Sequence, residues 1–420
     1  MIIGFQVVRS LEYVFFDMLF SHTGNMLQKF LGLFFLIAGS CFAAYGVKKT
    51  IRSIIANFLS INEEKLLEVI FDKQHLQKGP KIVAIGGGTG LSVLLRGLKE
   101  YTSNLTAIVT VTDDGGSSGI LRGELGILPP GDIRNCLIAL ADTEPLMEKL
   151  FQYRFKTGSL KGHSFGNLFL AAMTEVSGDF QKSIKQFSKV LAVKGQVLPI
   201  TLSQAVLFAV NKNGEIVKGE SKIPEGGPIE KVFLEPDDCR PLPEVIEAIK
   251  NADAIILGPG SLYTSIIPNL LVKGVVEAIS ESPAVKIYVT NVMTQAGETK
   301  GYTASQHVKT LLKYGNYKLI DYVIVNTEDV PEELLEKYKE EGAEPVKPDI
   351  ENIEALGVKV ISDKIINKTN FVRHDSKHLA RLIIKLLAQK SYEGDRLKLL
   401  DLYYLGERFK DSEHKKDMKF

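Results

Sequence analysis

A short apolar run that ends in a glycine-rich turn and continues as a helix occurs twice in this chain, and it constrains the fold more than any other feature. Lys81 to Ile85 (KIVAI) leads into Gly86, Gly87, Gly88, Thr89 and Gly90, after which LSVLLRGLKEY carries its leucines at helical spacing. Ala252 to Leu257 (ADAIIL) leads into Gly258, Pro259, Gly260 and Ser261, followed by a helix containing Pro268. Strand, glycine turn and helix in this order predict an α/β fold with parallel strands. Glycines allow close approach of backbone to a ligand, and the N–H groups of a helix N-terminus attract anions. Two such loops at the carboxyl ends of parallel strands converge on the crevice where open α/β sheets bind ligands.

Between the two loops, Leu105 to Val111 (LTAIVTV) reads as a buried strand ending at Thr112, Asp113, Asp114, Gly115, Gly116, Ser117, Ser118 and Gly119. Asp113 lies 23 residues after Gly90. That spacing suits an acid that hydrogen-bonds a ribose, two carboxylates that hold Mg²⁺ against phosphates, or an Asx turn that caps a helix. In LPPGDIRN, Asp132 reads as a helix cap, with Arg134 and Asn135 in the first turn, where a guanidinium can grip phosphate or carboxylate in two-pronged fashion. His163 to Ala171 (HSFGNLFLA) opens another helix with His163, Ser164 and Asn167. Strands over Lys286 to Thr290 and Asp321 to Val325 end at Asn291 and Asn326, which puts amides on the same rim. The pattern displays no nucleophile and base pair.

Composition narrows the partners. With 51 basic against 50 acidic residues the net charge is +1, so there is no electrostatic footprint for nucleic acid. Cys41, Cys136 and Cys239 lie far apart, which indicates neither a disulfide framework nor a thiolate metal site. No histidine spacing suits zinc, so any metal is expected to be a hard cation held by oxygen.

Phe30 to Val47 (FLGLFFLIAGSCFAAYGV) carries no charge over 18 residues and is followed at once by Lys48, Lys49 and Arg52. This predicts a transmembrane anchor close to the minimum length, with everything after it on the cytoplasmic side. The expected organisation is an N-terminal segment (1–29), the anchor (30–47), a juxtamembrane helical linker (48–79), a nucleotide-binding domain (80–390) and a charged tail (391–420).

The stretches IVAIGGGTGLSVLLRGLK, VTDDGGSSGILRGELGILPPGDIRNCL, GHSFGNLFLAAM, GQVLPITL, ADAIILGPGSLYTSIIPNLL and YVTNVMTQAGET together resemble the gluconeogenesis factor family, the YvcK-like branch of the CofD-like fold. The resemblance implies a three-layer Rossmann-like domain in a bacterial protein needed for cell shape and wall synthesis during growth on gluconeogenic carbon. It also implies a regulator that binds UDP-sugars, notably UDP-N-acetylglucosamine, with no required cofactor and Mg²⁺ as an optional companion. A homo-oligomer and a regulatory protein partner belong to the same expectation.

Carried over, Gly86 to Gly90, Asp113, Asp114, Asn135, Asn167 and Gly258 to Ser261 would line the ligand cleft. Ser117, Ser118, Arg134 and Asn291 complete the candidate set, and none is assigned a catalytic role. The sister branch, 2-phospho-L-lactate transferase, shares the first glycine loop and an Asp pair, which keeps a Mg²⁺-dependent transferase as the alternative. An NAD-linked dehydrogenase rests only on the loop and acid spacing.

Overall fold

The computed structural model of the chain describes residues 30, 33–34, 37–49, 76–142, 145–368 and 372–391. The chain divides into two compact units, Met1–Asp72 and Lys73–Phe420. In the first, residues 37–49 are helical, and Phe34, Ile37, Phe42, Tyr45 and Val47 are exposed. The anchor expected over residues 30–47 falls partly outside the described residues. Among those described, no single helix is long and apolar enough to cross a membrane. Apart from residues 48–49, 76–79 and 391, the expected linker and tail lie outside them as well.

The second unit is built on a seven-stranded sheet in which every neighbouring pair is parallel. Its strands are β1 (Ile82–Gly86), β2 (Leu105–Val109), β3 (Gln196–Pro199), β7 (Ala254–Leu257), β8 (Val285–Val289), β9 (Tyr322–Asn326) and β10 (Lys359–Asp363), in the order β10-β9-β8-β7-β1-β2-β3. β1, β2 and β7 are buried along their whole length, as strands covered on both faces must be. Three antiparallel strands between β3 and β7 in the chain, β4 (Val206–Asn211), β5 (Ile216–Lys218) and β6 (Ile229–Glu235), form a separate small sheet.

From β1 the chain winds outward through β2 to β3, then returns to the centre at β7 and winds the other way through β8 and β9 to β10. Because βαβ crossovers are right-handed, a reversal of winding puts the two sets of helices on opposite faces. The reversal falls between β1 and β7, so the loops after these two strands separate there and leave a crevice at their carboxyl ends.

Helix α1 (Gly88–Leu98) follows β1 and buries Leu91, Leu94, Leu95 and Leu98, one face at helical spacing. It packs against α3 (Gly131–Leu140) and α13 (Ser376–Ser391), the last helix among the described residues. The crossing with α13 needs a glycine at 97, since a Cβ there would overlap the Ser376 carbonyl. This close seat brings the hairpin preceding α13, β11 (Ile366–Lys368) and β12 (Val372–His374), over the crevice.

Candidate functional site

The crevice is a cleft of about 390 Å³ bounded by the two glycine loops predicted from the sequence. Gly87, in extended conformation, precedes α1 and has no side chain to cap it, and the first turn of α1 lines the cleft. Gly90 lets the loops touch: a Cβ at this position would stand 2.6 Å from the Pro259 carbonyl oxygen. Thr89, Gly260 and Ser261 complete this floor. Gly86 and Gly258 stand behind it as the buried ends of the two strand-to-loop transitions.

Two of the amides expected on the rim take different places. Asn291 lines the cleft and accepts a hydrogen bond from the Gly260 N–H at 3.3 Å. Asn326 lies within β9, where its side-chain Oδ1 accepts from the Glu328 and Ile365 N–H groups. It braces a turn away from the cleft.

The adjacent carboxylates also separate. Asp113 lines the cleft while its Oδ1 accepts the Gly115 N–H at 2.9 Å, so it makes the Asx turn and still presents an oxygen to a ligand. Asp114 points the other way, accepting the Ser221 N–H at 2.9 Å and tying down the 3₁₀ segment Glu220–Glu225. That segment carries Glu220 into the cleft.

Asp132 does not cap α3 as the sequence suggested. Pro130 holds the cap position without a side-chain bond, and the Asp132 carboxylate lies over the first glycine loop, its Oδ2 2.5 Å from where a Cβ at Gly87 would stand. Burial and the neighbouring Asp113 push Asp132 up to about 7, against the pull of Gly88 and Arg134. Burial, with Asp113 and Asp132 adding to it, pushes Glu220 up to about 8. Three carboxyls therefore face one cavity under mutual repulsion, a setting that favours protons, a cation or hydrogen-bond donors brought by a ligand. Among the described residues no group of three or more His, Cys, Asp or Glu is placed to enclose a metal ion by itself.

Five predicted residues form a different structure beside the cleft. Arg134, only 8% exposed, donates from Nη1 to Asn167 Oδ1 at 2.8 Å and to Ser164 Oγ, and from Nη2 to Asn135 Oδ1 at 2.6 Å. Asn167 Nδ2 donates in turn to Ser117 Oγ at 3.2 Å, which is 3.1 Å from His163 Nδ1. Ser118 is buried beside Ser117 in the first turn of α2 (Gly116–Leu125). Ser164 caps α5 (Phe165–Ser177), its hydroxyl accepting the Asn167 N–H. The Ser117, Arg134 and Asn167 side chains thus cross-link α2, α3 and α5, Asn135 steadies Arg134 from its own helix, and none of these four side chains, nor that of Ser118, lines the cleft. Burial lowers the Arg134 guanidinium to about 10, reinforced by Arg154, while Asp132 and Asp113 oppose that shift.

The remaining walls were not among the candidates. Gln295 donates from Nε2 to Ser261 Oγ at 2.7 Å, and its buried Oε1 has no partner among the described residues. His374, with Nε2 3.0 Å from the Thr290 carbonyl, is held down to about 4 by burial and is therefore neutral at physiological pH. Val292, Met293, Val372 and Arg373 add an apolar flank and a guanidinium. Gln295 sits inside the YVTNVMTQAGET stretch, so the resemblance carried a signal for it. Glu220 stands in a loop of unremarkable composition and left none.

A family model described as 2-phospho-L-lactate transferase CofD matches residues 82–366. A protein of Bacillus subtilis strain 168 named gluconeogenesis factor is 55% identical over 313 residues, covering 74% of this chain and 99% of its own length. A Clostridium acetobutylicum relative is 50% identical over 400 residues, covering 92% of this chain and 89% of its own length, so the similarity enters the N-terminal unit. A crystal structure of a Bacillus halodurans protein superposes with a TM-score of 0.71 at 51% identity, covering 73% of this chain and 99% of that one.

Proposed function

We propose, from the premise that this chain belongs to the CofD family and that its relatives are named gluconeogenesis factor, that it is a nucleotide-sugar-binding regulator rather than an enzyme. One observation carries the reading: two glycine loops meet at the point where strand winding reverses, over a cleft lined by a helix N-terminus, oxygen ligands and an orphan acceptor. In this reading the diphosphate of a UDP-sugar lies on Gly87 to Gly90, and Gln295 Oε1 takes a donor from the base or sugar. UDP-N-acetylglucosamine is the ligand of choice, and ligand occupancy supports cell shape and wall synthesis during gluconeogenic growth. The α/β unit works on the cytoplasmic face, with residues 30–47 as the membrane anchor.

Asp113 and Asp132 are the residues that would hold Mg²⁺, which commonly takes one or two protein carboxylates and completes its shell with substrate phosphates and water. A bound cation would offset the repulsion between these carboxylates and an incoming diphosphate.

The same pair supports a second reading, a Mg²⁺-dependent transferase that stabilises a diphosphate leaving group. Titration with UDP-N-acetylglucosamine, with and without Mg²⁺ and with product analysis, separates the two. Saturable binding with the ligand intact is expected of the regulator, and metal-dependent release of a nucleotide is expected of the transferase.

A further inference from the structure

Helix α4 (Pro145–Gln152) is held by its inner face. Phe151, 2% exposed, packs its ring 5.0 to 5.4 Å from those of Phe165, Phe169 and Phe187. With Phe151 fixed inward, Leu146 and Leu150 face outward one helical turn apart, and Tyr153 follows just after the helix ends. Leu146 is 73% exposed, Leu150 40% and Tyr153 47%. Surface helices ordinarily present polar residues on that side.

The chain then forms a clamped loop. The Phe155 N–H donates to the His163 carbonyl and the Gly162 N–H to the Phe155 carbonyl, each at 2.9 Å, and Arg154 and Ser164 form a bridge below them. Residues 156–161 at its tip are all exposed, and Leu160, 42% exposed, stands beside Lys161 and across the tip from Lys156. Lys149 joins them from α4 itself. Between residues 145 and 163 the only carboxylate is Glu148, which the Arg96 guanidinium already pairs at 3.1 Å. Lys149, Lys156 and Lys161 form no ion pair among the described residues.

We infer that α4 and the loop over residues 153–162 form a peripheral docking face for an anionic lipid surface, through which the α/β unit itself touches the membrane. Exposed leucines and a tyrosine flanked by lysines suit the headgroup boundary, where apolar side chains enter and ammonium groups meet anionic headgroups. The charge on this face contrasts with the near-neutral chain as a whole. The inference does not depend on the identity of the ligand in the cleft.

The test uses residues 73–420 without the N-terminal unit, because relatives almost wholly covered by this unit show that the fold exists alone. The protein is sedimented with phosphatidylcholine vesicles that contain or lack phosphatidylserine, at low and high salt. Binding is expected only with phosphatidylserine and is expected to weaken with salt. Combined Lys149→Glu, Lys156→Glu and Lys161→Glu should lower the partition by about tenfold or more. Leu146→Ser with Leu160→Ser should lower it severalfold with an unchanged melting temperature. Equal binding to both vesicle types, or binding untouched by charge reversal, would overturn the inference. So would a dimer that Leu146→Ser dissolves in a protein that ignores vesicles, since that assigns the face to a second copy.

Discussion

The cleft and the arginine knot beside it both draw residues from one stretch of sequence, VTDDGGSSG through PPGDIRN, yet they are opposite kinds of polar structure. In the knot, Arg134, Asn135, Asn167, Ser117 and Ser164 are linked to one another, leaving only the Arg134 Nε without a partner among the described residues. In the cleft, Asp113, Asp132 and Glu220 face one another, and among the described residues none of the three forms an ion pair within 4.0 Å; burial raises the last two above the usual carboxylate range. Groups that satisfy each other hold helices together, whereas groups left in tension are available to a ligand. A motif names both kinds of residue at once, and only the direction of each side chain divides them.

The sharpest way to break this division is Arg134→Met. Removing the hub should lower unfolding stability by about 3 kcal/mol in denaturant titration, because several buried acceptors lose their donor together. A variant that unfolds like the parent but fails to bind nucleotide would move Arg134 into the cleft.

Gly90→Ala tests the other side. Its Cβ has only loop backbone to push against, 2.6 Å from the Pro259 oxygen. The two loops should part at a cost of roughly 1–3 kcal/mol, read as weaker ligand binding in calorimetry and a lower melting temperature.

The neighbouring aspartates offer a finer contrast. Asp113→Ala should weaken ligand binding by roughly 1–3 kcal/mol, and Asp114→Ala, which releases the Ser221 N–H, by less than about 1 kcal/mol. Equal losses would mean that both carboxylates reach the ligand.

The smallest effect concerns pH. Glu220 titrates at about 8 in the folded chain against 4.5 as its ordinary value, so the folded state holds the extra proton. The stability this lends is complete in acid below the ordinary value and is lost as pH rises through about 8. Glu220→Gln should therefore match the parent near pH 4 and exceed it by roughly 1 kcal/mol at pH 9, after allowance for solvent in the cleft. Denaturant midpoints at the two pH values check the sign.

Strands β1, β2 and β7 and both glycine turns were legible in the sequence because buried parallel strands are continuous apolar runs and their turns require glycine. Side-chain direction was less legible. Asp113 and Asp114 differ by one position in an irregular turn that has no period to read. Asp132 looked like a cap because acids are common in the first turn of a helix, and only the fold brings the glycine loop beneath it. Glu220 and His374 reach the cleft from a 3₁₀ segment and a hairpin distant in sequence, whose placement depends on Asp114 and on the α1 and α13 crossing.

The most direct test of the central claim is calorimetric titration of the protein with UDP-N-acetylglucosamine in the presence of Mg²⁺, followed by analysis of the nucleotide recovered. One saturable site per chain, weakened by Gly90→Ala and returning the ligand intact, is the predicted result. Absence of saturable binding, or release of UDP or UMP, would contradict it.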